Sequence, residues 1–421
     1  MYHERLTISM TYDLIIIGAG AAGLFAASNT PASWKTLVLE KTNAPGQKLL
    51  LTGNGQCNLT NDEKISTFLT RYGRNGKLLR SVLFPFSNLA LMSHFERNAL
   101  ELTTREDGKV FPASMKSTDV LNLLLALCRT QNVEFRYCVA VTGILHQITA
   151  ARSRFLLETT NGKFFAEKVL VAVGGASYPQ TGSDGTFLAC LESLGLNIVT
   201  PRPALAPIFV QGYPYSELSG LSFNNCKITI VPRDGRHIPD CSTQGLLLTH
   251  KGFSGPAILT ASRYVMQGDR LKLSYLPRVT IHDLRLSLIK DATGNSRQIV
   301  KLLESITSLP HRFLEHVCHR CHVEASEKAS RLSGREMGLL AQHITSDTYE
   351  ISGTGGFSIA MATAGGLNLN EVNLRTMESK LYPGLYFAGE ILDVDGDTGG
   401  YNLQFAFSSA MCSIKAMRAR N

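Results

Sequence analysis

A glycine-rich turn near the start of the sequence has the residue types and the spacing that suit the binding of a pyrophosphate. Residues 12–17 form a short β-branched run that predicts a buried parallel strand, and an apolar helical run follows the turn. Gly18 permits the tight turn, Gly20 lets a pyrophosphate approach the backbone, and Gly23 lets the helix pack closely on the strand. Backbone N–H groups at the helix start then face the phosphates, so no lysine is required. The predicted contacts continue into the first helical residues, Ala21 and Ala22.

An acidic residue ends the next predicted strand. Glu40 follows the run 36–39 and lies 22 positions after Gly18. This separation is typical of a carboxylate that accepts hydrogen bonds from a ribose 2′-OH, and it disfavours the 2′-phosphate of NADP. The alternative is an ordinary strand, turn and helix without a ligand, which the combined pattern disfavours. We therefore predict a dinucleotide whose ribose lies at Glu40 and the adjacent Lys41.

A polar, glycine-rich loop leaves the predicted ribose-binding strand and can run along the nucleotide toward its reactive end. The segment 48–61 reads KLLLTGNGQCNLTN. Together with the glycine turn and Glu40, it resembles the HI0933-like family of bacterial FAD-dependent flavoproteins. The resemblance implies that the turn holds the FAD pyrophosphate and that the loop flanks the flavin. Family members usually have Arg before the Cys, whereas this chain has Gln56, so one cation near the flavin is missing. The loop residues predicted to bind the cofactor are Lys48, Gly53, Gly55, Cys57 and Asn58.

Motifs later in the chain extend the resemblance over nearly its whole length. The run 168–179 is similar to a second flavoprotein fingerprint, and the strand at 133–148 is expected to border the adenine. The segments 384–396 and 398–404 match the family closely, and the resemblance implies that Glu390 hydrogen-bonds the ribityl chain or the pyrophosphate. A second GxGxxG with its own acidic strand end is absent from the sequence, so NAD(P)H would bind only transiently as a reductant. These motifs add the predicted cofactor contacts Val141, Gly174, Gly175, Gly389, Glu390, Gly400, Tyr401 and Asn402.

The turn at 399–402 precedes the last predicted helix. Reduction of a flavin places negative charge on its N1–C2=O edge, and a donor-rich helix start aimed there would stabilise the reduced cofactor. A simple helix cap would also explain the glycines at 399 and 400.

Two residues are predicted to take part in catalysis. The thiol of Cys57, beside a flavin, can act as a general acid or a redox partner, and the equally weighted alternative is a small buried group that packs under the cofactor. His250 lies in a Thr-His-x-Gly-x-Ser-Gly-Pro motif of the family and can exchange a proton with substrate, although it can instead fix the start of the helix at Pro256. We predict no metal site, because the His and Cys residues in 316–322 lack a matching second pair.

The elements that must position these residues belong to an α/β fold. We expect a Rossmann-type FAD-binding domain of the glutathione-reductase-like kind, with an inserted antiparallel β-domain and a helical subdomain. The composition changes at Pro201, where prolines and alternating apolar residues begin. The predicted borders are 1–200 for the first part of the FAD-binding domain, 201–280 for the β-domain, 281–342 for the helical subdomain, 343–352 for a returning β-strand and 353–421 for the second part of the FAD-binding domain.

Composition limits the classes of protein to which the chain can belong. It has 421 residues, of which 44% are hydrophobic and 18% charged, as in globular proteins of two or three structural units. Apolar runs fall far short of the roughly 20 residues that a spanning helix needs, so we expect no membrane partner. Nine cysteines without a short-range framework suggest free thiols and a cytoplasmic location. A net charge of +8 favours acidic partners such as RNA, although scattered surface lysines give the same balance.

The resemblance implies an FAD-dependent oxidoreductase that moves hydride between a donor such as NAD(P)H and an acceptor. One hypothesis combines the net positive charge with the predicted cofactor. The basic inserted units bind RNA, and the reduced FAD delivers hydride to a uracil C5=C6 bond while Cys57 supplies the proton. The alternatives are an oxidoreductase or oxidase of a small apolar or amine substrate, and a flavin-binding protein without turnover. The sequence predicts neither the true substrate nor an oligomeric state.

Overall fold

The chain forms two compact units in a computed structural model that describes residues 11–148, 153–238 and 244–419. Unit 1 runs to Ala204 and resumes at Phe357, and unit 2 comprises Leu205–Gly356. The first ten residues of the predicted segment 1–200 and the last two of 353–421 lie outside the described residues. Unit 2 is therefore inserted into the sequence of unit 1.

Strands and helices alternate at the start of unit 1, and strands precede helices in most of unit 2. The strands are β1 Thr11–Ile17, β2 Thr36–Leu39, β3 Thr60–Asn61, β4 Leu102–Thr104, β5 Lys109–Pro112, β6 Glu134–Arg136, β7 Val141–Ile148, β8 Ser153–Thr159, β9 Gly162–Val171, β10 Ile198–Ala204, β11 Ile208–Val210, β12 Ser222–Val231, β13 Gln244–Leu248, β14 Phe253–Ser254, β15 Arg270–Ser274, β16 Asp347–Thr354, β17 Ala362–Leu367, β18 Val372–Asn373, β19 Glu378–Ser379 and β20 Leu385–Phe387. The α-helices are α1 Ala21–Ala27, α2 Gln47–Leu51, α3 Ile65–Arg71, α4 Arg80–Leu83, α5 Asn88–Arg97, α6 Ser117–Thr130, α7 Leu188–Ser193, α8 Pro256–Ser262, α9 Ile281–Ala292, α10 Ile299–Thr307, α11 His311–Arg320, α12 Gly334–Thr345 and α13 Tyr401–Ala419.

A parallel sheet with the strand order β20-β9-β1-β2-β6 forms the centre of unit 1. All four residues of β2 are buried, as expected of a strand with both faces covered. In the register, Ile17 pairs with both Leu39 and Val171, and Phe387 pairs with Val171. Ligands bind outside the carboxyl ends of such strands. The residues that follow β1, β2, β9 and β20 therefore meet at one edge of the sheet, and they are Gly18, Glu40, Ala172 and Ala388 respectively.

The glycine turn after β1 is close-packed in the way that its sequence predicts. Gly18 has a φ of +101°, and a Cβ there would lie 2.6 Å from the Ala172 carbonyl oxygen. A Cβ on Gly23 would lie 1.9 Å from the Gly18 carbonyl oxygen, so helix α1 can approach the turn only without a side chain at this position. The long helix α13 packs against α1.

A six-stranded antiparallel barrel with the order β11-β14-β13-β12-β15-β16 forms the sheet part of unit 2. Helices α9 to α12 lie between strands β15 and β16 of this barrel in the sequence. Helices α9 and α12 each begin with a capping box, at Thr280 and Ser333 respectively. Side chains from strands and helices share one apolar core, which includes Phe253, Phe313 and Leu340.

The border of unit 2 lies four residues after the predicted start at 201. Residues 198–204 form β10, which pairs with β17 and so belongs to unit 1. The prolines at 201 and 203, which suggested the border, lie inside this short two-stranded sheet. In the described part of the chain, no helix is both long and apolar enough to cross a bilayer.

A buried carboxylate ties the helices of unit 2 to its barrel. Asp347, which is 2% exposed, accepts hydrogen bonds from the hydroxyls of Tyr215 and Tyr349 at 2.5 Å each. Arg320 Nη1 donates to it at 3.2 Å, and the ring of His343 lies 3.1 Å away. Burial alone would raise the pKa of Asp347, but the hydrogen bond from His343, the Arg320 charge and the two tyrosines outweigh it and lower that pKa.

We expect the stabilising effect of Asp347 to depend on pH. Because its folded-state pKa lies below the ordinary carboxyl value of about 3.9, its contribution is complete above that value and is lost as the pH falls through the folded pKa. The Tm difference between the wild type and Asp347→Asn should therefore shrink as the pH is lowered from 7 toward 3, as measured by calorimetry. Glu324→Gln, at an exposed position of the same unit, is the control. A Tm difference that stays constant with pH would contradict the assignment.

Candidate active site

A single groove in unit 1 gathers most of the residues predicted from the sequence. It holds about 1330 Å³ of space, part of it open to solvent. The glycine turn, the ends of β2 and β9, and residues that precede β7 all line it. Of the predicted cofactor contacts, the groove brings together Gly18, Gly20, Ala21, Ala22, Glu40, Lys41, Lys48, Val141, Gly174, Gly389, Glu390 and Asn402.

Glu40 is held rigidly where β2 ends. Its Oε2 accepts from the Ala19 N–H at 2.7 Å, and its Oε1 accepts from both the N–H and the hydroxyl of Thr42 at 2.8 Å. Only 9% of the residue is exposed. Oε2 accepts only one of these hydrogen bonds and has a further lone pair, so the fixed carboxylate can still accept from a ligand hydroxyl.

A loop that the sequence did not mark as part of the site covers residues 40–42. Gly182, with a φ of +94°, lies so close that a Cβ there would be 2.8 Å from the Thr42 methyl group. Lys41 Nζ pairs with Asp184 Oδ1 of this loop at 2.7 Å. The side chain of Ser183 is buried in the same loop, and its hydroxyl has no hydrogen-bond partner among the described residues. Gly182 and Ser183 line the groove.

Charged and polar side chains from three segments meet at the side of the groove. Lys48 Nζ donates to Glu390 Oε2 and to Ser177 Oγ, at 2.5 Å each. Ser177 donates to Glu390 Oε1 at 2.9 Å, and the Thr363 N–H donates to the same oxygen at 2.6 Å. The side chains of Lys48 and Glu390 are each 21% exposed. This cluster gives the groove one half-buried cation and one half-buried anion with fixed positions.

The start of helix α13 faces the groove through Asn402, whereas Tyr401 turns away from it. Asn402 exchanges two hydrogen bonds with the backbone of Gly396. The hydroxyl of Tyr401 donates to Glu63 at 2.7 Å, and its ring packs edge-on to Phe68. Burial and the Glu63 carboxylate raise the pKa of Tyr401, which therefore stays protonated. Tyr401 fixes the orientation of the helix from behind.

Cys57 and Asn58 lie with Gly400 in the layer behind the groove. The thiol of Cys57 is fully buried among apolar side chains, and burial raises its pKa to about 12. With its amide oriented to satisfy its neighbours, Asn58 accepts from the Gly400 N–H at 3.0 Å. A Cβ on Gly400 would lie 2.5 Å from the Thr60 carbonyl. This geometry favours the packing role for Cys57 that the sequence left open.

Replacing Cys57 with alanine should therefore change stability more than chemistry. Removing a buried sulfur should lower the free energy of unfolding by about 1–2 kcal/mol. Both half-reactions, measured by stopped-flow absorbance, should stay within about threefold of the wild type, which is under 1 kcal/mol in the barrier. Cys138→Ala, at an exposed thiol, serves as the control. Selective loss of the oxidative half-reaction would instead support a proton donor.

The remaining predicted residues do not line the groove. Gly53 and Gly55 lie in an exposed turn, Gly23 packs on the glycine turn, and Gly175 packs on Thr363 and Glu390. His250 belongs to unit 2, where it is exposed in the turn between β13 and β14. Among the described residues no group of three or more His, Cys, Asp or Glu could hold a metal ion.

The side chain of Gln56, where family members usually have Arg, contacts a cation from another part of unit 1. Arg105 Nη2 donates to the side-chain oxygen of Gln56 at 2.7 Å, and its guanidinium lies 4.2 Å from the ring centre of Phe111. No local sequence pattern indicates this pair, because the two residues are 49 positions apart. For the covering loop a signal did exist, since residues 181–187 follow the second glycine fingerprint. Groove residues that the sequence reasoning missed include Thr42, Val139, Thr181, Gly182, Ser183, Thr186, Phe187 and Met361.

The residues present fit a dinucleotide such as FAD. The position where a pyrophosphate would approach is open, because a Cβ on Gly20 would meet nothing within 4 Å. The unsatisfied hydroxyl of Ser183 adds a polar group to the lining, and Glu40 offers acceptors for a ribose. A Rossmann-type sheet with such a groove defines a dinucleotide-binding protein.

Comparisons with known proteins specify the class further. The family described as HI0933-like protein Rossmann domain matches residues 12–416. The ribosomal RNA dihydrouridine synthase of Escherichia coli (strain K12) is 30% identical over 401 residues, which cover 95% of this chain and 96% of that protein. The protein of the same name from Haemophilus influenzae is 28% identical, with 98% and 100% covered. A 3-dehydro-bile acid delta(4,6)-reductase of Clostridium scindens is 28% identical, with 96% and 98% covered. The chain belongs to the HI0933-like family, and it is an FAD-dependent oxidoreductase.

Proposed function

We propose that this protein takes hydride from NAD(P)H and reduces the C5=C6 bond of a uridine in RNA. In the overall reaction NAD(P)H loses a hydride and becomes NAD(P)⁺. One carbon of the double bond gains that hydride, the other gains a proton from solvent or an acid, and dihydrouridine results. The observation that carries the proposal is the match over 95% of the chain to a relative named as a ribosomal RNA dihydrouridine synthase.

The residues of unit 1 support the proposal through binding and orientation. When bound, FAD supplies the hydride-transfer chemistry. The glycine turn would hold the pyrophosphate, Glu40 the ribose, and Val141 the adenine. Asn402 and the start of α13 lie where a helix N-terminus can stabilise negative charge. Apolar groove residues, including Leu39, Phe187 and Met361, would exclude water from the bound cofactor.

Lys48 is the groove cation best placed to stabilise negative charge. Its ammonium is fixed by Glu390 and Ser177, so it needs little reorganisation to act. We assign it to the cofactor, as the sequence predicted, and assign no proton transfer to His250. The strand order and the antiparallel pair β7 and β8 support a sheet of the glutathione-reductase-like kind.

Two measurements test the proposed function. The purified protein should be yellow, and anaerobic NADH or NADPH should bleach it. Ribosomal RNA from a strain lacking the gene should lose dihydrouridine at one position by mass spectrometry, and the wild-type gene should restore it. Unchanged dihydrouridine in the deletion strain would overturn the RNA substrate while leaving the flavoprotein assignment in place.

A second candidate is the reduction of a small unsaturated carbonyl compound. The bile acid reductase relative favours it, since the identity and coverage are close to those of the RNA-modifying relatives. Both candidates saturate a C=C bond conjugated to a carbonyl group. A steroid dienone that reoxidises the reduced protein rapidly, with no effect of RNA, would favour the second candidate.

A further inference from the structure

A run of basic residues in unit 1 has no carboxylate among its sequence neighbours. From residue 65 to residue 95 the chain contains four Lys or Arg residues and no Asp or Glu. Residues 73–79 form a 3₁₀-helix, which is long for this type of helix. The exposed members of the run, Arg74, Lys77 and Arg80, are three residues apart.

The helix type places Arg74 and Lys77 in one row, and Arg80 follows the 3₁₀-helix as the first residue of helix α4. A 3₁₀-helix has three residues per turn and rises about 2.0 Å per residue, so every third residue lies on one face, about 6 Å from the next. This repeat is close to the separation of neighbouring phosphates along an extended nucleic-acid strand. We call Arg74, Lys77 and Arg80 the basic ridge.

Part of the charge of the ridge remains available to a ligand. Arg71, just before the helix, is paired with Glu63, and Arg74 is paired with Asp393 at 3.1 Å. The side chain of Arg74 is nevertheless 73% exposed. Lys77 is exposed, and the exposed Arg80 lies over the Phe84 ring at 4.5 Å, which leaves its donors to solvent.

Two more cations flank the ridge. Ser81 Oγ donates to the Leu374 carbonyl at 3.3 Å, which places the exposed Arg375 beside the end of the ridge. Lys415 Nζ donates to the Pro85 carbonyl at 3.4 Å. Residues from three separate parts of the sequence thus contribute positive charge to the same surface.

The ridge is adjacent to the groove. Arg74 and Asn75 both donate hydrogen bonds to Asp393. The side-chain nitrogen of Asn75 lies 2.7 Å from the Asp393 carbonyl oxygen. The next residue, Val394, lines the groove. We propose that the basic ridge binds the phosphates of single-stranded substrate RNA beside the groove. This inference rests on the proposed function and identifies the surface that would hold the RNA.

The test is the salt dependence of binding to a short fluorescent oligouridylate, followed by anisotropy between 50 and 200 mM salt. For single strands, the slope of log K against log salt changes by about 0.7 for each phosphate contact. Lys77→Gln/Arg80→Gln should lower the steepness of that slope by about 1.4 and weaken binding roughly tenfold at low salt. Lys163→Gln/Arg129→Gln removes the same charge from other exposed positions of unit 1 and should bind like the wild type. A wild-type flavin absorbance in the ridge variant shows that unit 1 is folded.

The outcomes separate this inference from the proposed function. If the wild type shows no salt-sensitive RNA affinity, the RNA substrate itself fails and the ridge fails with it. If the wild type binds and the ridge variant binds equally well, the ridge is overturned and the RNA substrate stands. If the ridge variant loses binding to anionic phospholipid vesicles but binds RNA like the wild type, the ridge is assigned to a membrane surface. This result would also overturn the inference.

Discussion

Replacing Gly20 with alanine is expected to give a folded but colourless protein. The backbone at Gly20 has φ −82° and ψ −169°, an extended conformation that any residue adopts. A Cβ there meets nothing within 4 Å, so the free protein should accept it with a stability change within about 0.5 kcal/mol. The methyl group would nevertheless occupy the place where the pyrophosphate approaches the backbone. We expect FAD affinity to fall about a hundredfold, which is roughly 2.7 kcal/mol.

Two other glycines make this experiment specific. Gly356 is matched to Gly20, because a Cβ there also meets nothing within 4 Å, and Gly356→Ala should keep its flavin. Gly23→Ala should destabilise the fold as well, since its Cβ would lie 1.9 Å from a backbone oxygen. The measurements are the flavin-to-protein absorbance ratio, an FAD titration, and the Tm of each protein without FAD. Wild-type affinity in Gly20→Ala would mean that no dinucleotide passes over this turn.

Changing Glu40 to glutamine should weaken both the fold and the cofactor site, although the shape of the side chain is almost unchanged. Both carboxylate oxygens accept from donors: Ala19 N–H on one side, and the N–H and hydroxyl of Thr42 on the other. An amide must therefore turn its NH₂ group toward one of these donors. Leaving a buried donor unsatisfied costs about 1–3 kcal/mol. The displaced side chain should also lose its hydrogen bonds to the ribose, so FAD affinity should fall more than tenfold.

The control for this substitution is Glu158→Gln, which changes an exposed carboxylate of β8. Denaturant unfolding without FAD measures the effect of the substitution on the fold. An FAD titration of the folded protein measures its effect on cofactor affinity. If Glu40→Gln has the same free energy of unfolding as the wild type, an amide can replace the carboxylate in these hydrogen bonds without loss of stability. Normal FAD affinity would remove Glu40 from the ribose site.

Several of the predicted residues that line the groove are those whose neighbours along the chain define their environment. Gly18 and Gly20 form a local turn, and Glu40 is one parallel strand away, so the pattern of β1, α1 and β2 is enough to place them. The family resemblance is confirmed by a match over residues 12–416. The same resemblance predicts Glu390 and Asn402 as cofactor contacts, although both lie far along the chain.

The parts that sequence could not give depend on contacts between distant segments. Cys57 has a left-handed backbone conformation, with φ +60°, and its side chain enters the apolar core behind the groove. Tyr401 is drawn away from the groove by Glu63, 338 residues earlier. The loop at Gly182 reaches Thr42 because β9 and β2 both lie beside β1, which a single strand pattern cannot show. In these cases the burial and orientation of the residue, rather than its type, determine whether it lines the groove.

The insertion of Leu205–Gly356 into the middle of unit 1 has a consequence for biosynthesis. The strands β17 to β20 and helix α13 are translated after the whole of the inserted unit. A nascent chain that has emerged only as far as unit 2 carries the glycine turn and Glu40 but neither Glu390 nor Asn402. The complete groove therefore requires segments from both sides of the inserted unit, and the apolar face of α1 that α13 covers has no partner until α13 has been translated.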